Sequence, residues 1–147
     1  MNGLESVAHA AEVVLLTANA RQKAERTRAL YNDWMTGALS WKFPKAAPDR
    51  PRRPNNPQLL APNEMPKRGK AGSLPNRIAL IHALAHIELN AIDLAWDIVI
   101  RFGRSLPREF TQDWLKVADD EARHFLLLDD RLQELGSYYG ALPCLLY

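Results

Sequence analysis

Two glutamates and a histidine carry the chemistry open to this sequence. Glu121 and His124 stand three apart in Asp120-Glu121-Ala122-Arg123-His124, so on a helix they share one face. That face is otherwise apolar: Phe110, Trp114, Val117 and Ala118 precede the pair, and Phe125, Leu128, Leu132 and Leu135 follow it. Asp113, Lys116, Asp120, Arg123, Asp130 and Glu134 fall on the opposite side. A core-facing stripe is expected to be apolar throughout, and a buried carboxylate is costly unless it is paired or bound to a metal. A second stripe upstream has the same break. Glu88 lies among Ile81, Leu84, Ala85, Ala91, Ile92, Ala95, Val99 and Phe102, where small alanines leave room beside the carboxylate. One Glu from one helix and an ExxH pair from the next form half of a di-metal carboxylate site, and a four-helix bundle uses that set twice. Carboxylate oxygens with one imidazole suit iron or manganese.

Each of these residues has a plainer reading. ExxH alone carries little, since ordinary residue usage gives roughly a one-in-five chance of it in a chain of this length. Its place inside an apolar stripe and its match with Glu88 give it weight. Otherwise Glu88 pairs with a basic side chain, and Glu121 and His124 are solvated on a rotated helix. His82 and His86, four apart, share a face with Asp93 and Asp97, nearly opposite Glu88. They read as a polar seam against the N-terminal helices or as support for a metal site, with His82, His86 and Asp93 the second-shell candidates.

The elements that must position these groups follow from periodicity and caps. Leu4, Val7, Ala8, Ala11, Val14 and Leu15 predict a short helix ending near Thr17. Asn19 caps a second helix to about Thr36, with Ala24, Ala29, Leu30, Trp34 and Tyr31 inward and Gly37 after it. Residues 1–41 form this N-terminal segment. Residues 42–75 form a connector. Eight of the ten prolines lie between residues 44 and 75, which excludes a helix or a central strand there. Residues 76–136 hold a long helix hairpin. Its first helix runs from Asn76 to Phe102, roughly 40 Å, after Ser73 and Pro75 and before Gly103. Ser105 and Pro107 open the second, which reaches Leu135 and stops at Gly136. A loop this short makes the two antiparallel. Residues 137–147 are a tail.

The chain has 147 residues, 47% of them hydrophobic, and a net charge of +2. That suits one all-α domain. The charge is uneven: residues 42–70 carry +6 and the rest −4. The basic connector is a solvated strap around the core, a disordered segment, or a surface for nucleic-acid phosphates. With only Trp41 and Phe43 nearby, it offers little for stacking on bases. No run is seen that approaches the ~18–20 apolar residues of a membrane span, and no secretory signal. Cys144, the single cysteine, forms no internal disulfide and fits a reducing, cytoplasmic setting; no histidine lies near it in sequence, so Cys–His catalysis has no support. There is no glycine-rich phosphate loop, CxxC pair or GxSxG motif.

The run Arg77-Ile78-Ala79-Leu80-Ile81-His82-Ala83-Leu84-Ala85-His86-Ile87-Glu88-Leu89-Asn90-Ala91-Ile92-Asp93-Leu94 resembles the ferritin-like proteins of domain-of-unknown-function family 455. So do Arg50-Pro51-Arg52-Arg53-Pro54, Met65-Pro66-Lys67-Arg68 and Asp120-Glu121-Ala122-Arg123-His124-Phe125. The resemblance implies a ferritin-like helical bundle related to di-iron tRNA hydroxylases, with Glu88, Glu121 and His124 as ligands of an iron or manganese centre. It reaches the family's first half only. Members continue past the position of Pro143 into two more helices bearing another Glu and another ExxH, so this sequence reads as a truncated product, a splice form or a fragment.

The expectation is therefore an all-α half bundle holding half of a di-iron ligand set. A homodimer would rebuild the bundle and make oxygen-dependent oxidation or hydroxylation open to it. The alternatives are a non-catalytic helical interaction module or an inactive truncated product, with tRNA contact through the connector a weaker addition. No membrane partner is expected.

Overall fold

The computed structural model describes residues 5–67 and 69–146; Leu4, Arg68 and Tyr147, assigned above to the first helix, the connector and the tail, lie outside them. Four helices follow in order: α1 (Val7–Leu15), α2 (Ala20–Met35), α3 (Leu74–Phe102) and α4 (Arg108–Glu134). α3 and α4 pack along each other as a hairpin, α1 lies on α3, and α2 lies mainly on α4. The arrangement is an all-α helical bundle.

Local chemistry sets the ends of these helices. The Ser6 hydroxyl accepts from the His9 N–H (3.1 Å), Asn19 from Gln22 (2.8 Å) and Ser73 from Asn76 (3.3 Å), each satisfying a first-turn donor. Gly136, at φ 84°, takes the left-handed turn after α4. Gly103 also follows a helix but keeps φ −61°. Its role is close approach: a Cβ there would lie 2.7 Å from Phe43 Cζ and 3.0 Å from Thr111 Oγ1.

α1 is almost wholly interior, with Val7, Ala8, Ala10, Ala11, Val14 and Leu15 fully buried. On α2, Ala24, Leu30 and Trp34 turn inward as expected. Ala29 is exposed, and Lys23 and Thr27 are buried in its stead. Lys23 can be buried because its ammonium forms a very short ion pair with Asp93 of α3 and donates to the Arg52 carbonyl (3.0 Å). Thr27 Oγ1 accepts from the Trp96 indole (3.0 Å).

The proline-rich connector wraps the core. Arg52 N–H donates to Leu15 O (2.8 Å), Arg101 holds the Pro48 carbonyl (2.6 Å), Arg104 holds that of Phe43, and Arg53 reaches Asn90 Oδ1 (2.6 Å). Within it β1 (Leu59–Leu60) pairs in parallel with β2 (Cys144–Leu145) of the tail. Connector and tail thus brace each other against α3.

One expectation needs correcting. Leu74–Ser105 is long and apolar enough, by length and composition, to cross a membrane. In the fold one side of this helix is buried against α1, α4 and the tail, and Asp93 on that side pairs with Lys23.

The stripes are also rotated from the expected centre line. On α4 the buried line is Thr111, Leu115, Ala118, Ala122, Phe125, Asp129 and Leu132. On α3, Leu84 and Phe102 are exposed, while His82, His86, Leu89, Asp93, Trp96 and Ile100 are buried. α3 is apolar almost all round, so periodicity could not choose which side would be covered.

Candidate metal centre

The hairpin brings Glu88 of α3 against Glu121 and His124 of α4. One ligand atom from each lies within 4.8 Å of the others. His124 Nδ1 is 3.2 Å from Glu121 Oε1 and 3.8 Å from Glu88 Oε2. All three are half-buried, at the edge of the covered core. Ala85, Ala118 and Ala122, fully buried nearby, let the helices approach closely.

Glu88 is the strained member. Its Oε2 is closed off from solvent and has no hydrogen-bond partner. Burial first, and then the neighbouring Glu121, push its carboxyl up to about 7, with His124 pulling the other way. A carboxylate beside another disfavours its charge, and a cation between them relieves this.

The histidine's far nitrogen has a donor beside it. A ligating imidazole ordinarily gives its other N–H to an acceptor. His124 Nε2 instead lies 3.3 Å from Arg123 Nη2, a donor. Nε2 therefore accepts, and Nδ1 carries the hydrogen that points at Glu121. For Nδ1 to ligate, that proton must leave and the exposed Arg123 must turn aside.

His82, His86 and Asp93 are engaged on the other side of α3. Asp93 is tied to Lys23 of α2. The two histidines do form a polar seam, but the tail rather than the N-terminal helices packs on it. His82 Nε2 accepts from the backbone N–H groups of Gly140 (2.9 Å) and Leu142 (3.3 Å), and its Nδ1 is 3.4 Å from Cys144 Sγ. His86 Nδ1 meets the Tyr139 hydroxyl at 2.7 Å, and His86 also bonds to the Leu145 backbone. Tyr139 stacks on His82 and meets Phe125 edge-on. Asp129 Oδ1 accepts from the Tyr139 N–H (2.9 Å).

A family model described as "Protein of unknown function (DUF455)" matches residues 16–145. The chain belongs to the DUF455 family. A relative from Haemophilus influenzae (strain ATCC 51907 / DSM 11121 / KW20 / Rd), described as "Uncharacterized protein", is 38% identical over 140 residues. The match takes in 88% of this chain and 48% of the relative, so the chain spans about half the length of the curated relative it matches. No solved structure matches.

In this DUF455 chain the fold brings His82, 62 positions away in sequence, beside Cys144. The pair is no activated nucleophile. Burial raises the thiol to about 11 and lowers His82 to about 4, the reverse of a thiolate–imidazolium couple. Sequence reasoning missed Lys23, Arg123 and Tyr139. Lys23 had a signal, because a lysine four residues before Thr27 on the inward face of α2 needs a buried acid. Tyr139 had none, because nothing local says where a tail docks.

His82 makes acid stability testable. Its imidazole must stay neutral to accept the two N–H groups, and burial, the largest cause, holds it at about 4 against an ordinary 6.5. The unfolded chain therefore takes up this proton first. Stability from this group is intact above 6.5 and falls by about 3 kcal/mol as pH drops toward 4. Denaturant unfolding of wild type and His82→Gln at pH 7.5 and pH 4.5 isolates it. A wild-type loss on acidification no larger than that of the variant would remove this role.

Proposed function

We propose that this chain binds a divalent first-row metal ion, iron or manganese, through Glu88, Glu121 and His124, as half of a ferritin-like di-metal carboxylate centre. The observation that carries this is the orphaned Glu88 Oε2, a buried acceptor without a donor that faces a second carboxylate and an imidazole. A cation is the partner that would satisfy it. The hard oxygens and single nitrogen suit iron or manganese better than the thiolate-preferring ions. Bound iron would supply oxygen activation, so the reaction class is an oxygen-dependent oxidation.

The residues divide the work. Glu88 would offer the buried Oε2. Glu121 would offer a second carboxylate to the same ion. His124 offers Nδ1 once Arg123 has released Nε2, and Asp120, 3.8 Å from Arg123, is an alternative partner for that guanidinium. The buried thiol of Cys144 suits a reducing, cytoplasmic setting.

Metal content is the test. Protein loaded with Mn2+, or with Fe2+ without oxygen, should retain close to one ion per chain after desalting. Glu121→Ala should fall to background with its helix signal unchanged. Equal, trace metal in both would end this reading.

A second reading has its own observation. Leu80, Leu84, Ile87, Leu94 and Phe102 of α3 are exposed large apolar groups, as an interaction module would show. If that were the whole function, partner binding by the metal-free chain would be unaltered by adding metal.

A further inference from the structure

The three ligand residues open onto an uncovered apolar face of the hairpin. Leu84 (41% exposed), Ile87 (48%), Leu94 (57%) and Phe102 (53%) on α3 flank Glu88, and Val117 (38%) precedes Glu121 on α4. Among the described residues, α1, α2, the connector and the tail leave these side chains exposed. Two helices about 40 Å long offer on the order of 800 Å2 on one side. That is about what each partner contributes to a standard stable interface.

The chemistry at the centre of this face selects what can cover it. An apolar partner would bury Glu88 and Glu121 with no cation. A second copy of the same face, turned by a twofold axis, would bring two Glu–Glu–His sets together. Without metal it would also bury four carboxyl groups in one contact with no cation beside them, which is costly for any that are charged. Divalent cations between the sets remove the repulsion and complete coordination that one chain leaves open.

We infer that this face docks a second copy of the chain and that the docking is linked to the metal. The inference rests on the metal reading above and adds the partner. In the single chain the three donor groups meet the ion on an open face; in the pair the facing set closes that open side, and the ions in turn neutralise the carboxylates that the contact buries. The ion and the second chain therefore favour each other's binding, a reciprocal coupling.

The experiment is light-scattering mass with metal content on the same eluted peak, for the full chain after chelation and after Mn2+ addition. The expected result is 16.6 kDa without metal and twice that with Mn2+, at one ion per chain. Glu121→Ala should remain at the lower mass in Mn2+. Ile87→Asp leaves the ligands in place and charges the face; it should also stay monomeric and bind Mn2+ at least tenfold more weakly than wild type. A monomer carrying a full ion per chain would overturn the docking and leave the metal site standing, pointing to cover by further polypeptide or another protein. A dimer of equal strength with and without Mn2+, persisting in Glu121→Ala, would overturn the linkage. Failure of wild type to take up any Mn2+ would overturn both.

Discussion

Asp93→Ala should cost this protein about 3–5 kcal/mol of folding stability, the usual cost of breaking a buried ion pair by removing one partner. Lys23 is only 1% exposed. Its ammonium has Asp93 and the Arg52 carbonyl as partners, so losing the carboxylate leaves a cation in the core with one neutral acceptor. The two pKa shifts show how the balance lies. Burial is the largest cause for both, lowering Lys23 and raising Asp93, with each partner only partly restoring the other. Desolvation therefore outweighs the attraction, and the pair adds little net stability although each half needs the other. Replacing both with apolar residues, Lys23→Met with Asp93→Leu, should recover most of the loss. Thermal melting reads the difference: the single variant should drop by roughly 10 °C, given about 2–4 °C per kcal/mol for a domain near this size. A single variant melting within a degree or two of wild type would mean that Lys23 finds another partner.

Glu88→Gln should do two opposite things. It should abolish metal retention, and at pH 8 it should make the metal-free fold more stable. Glu88 sits at about 7 in the fold against an ordinary 4.5, because burial and Glu121 disfavour its charge. The folded state thus holds this proton more tightly than the unfolded one. The resulting stabilisation is complete below 4.5 and is lost as pH rises through 7. The shift would correspond to about 3 kcal/mol; solvent on the open side reduces the expected gain from Gln to about 1–2 kcal/mol. At pH 5, where Glu88 is largely protonated, wild type and variant should unfold alike. Functional sites often keep such a destabilising group. Denaturant unfolding of chelated protein at pH 5 and pH 8 checks the stability half. A variant less stable than wild type at pH 8 would show that the Glu88 carboxylate is structural. Unchanged metal retention would remove it as a ligand.

The sequence by itself determined the helices, their ends and the three-residue group. Asn19, Ser73 and Gly136 act locally, so their roles were legible. Glu88, Glu121 and His124 stood out because each breaks an apolar period, and a short turn leaves a hairpin little freedom over which residues meet. Membership of the DUF455 family was legible in the same runs. The tertiary structure decided what no local spacing encodes. It chose which side of the nearly all-apolar α3 is covered, and so placed Glu88, Glu121 and His124 at the rim of an open face rather than in a closed core. It turned His82 and His86 toward the tail, set Cys144 beside His82, and buried Lys23 by supplying Asp93 from 70 positions away. Side-chain period reports that a face must be buried. Only the packing of distant segments settles what buries it, because apolar attraction has no direction.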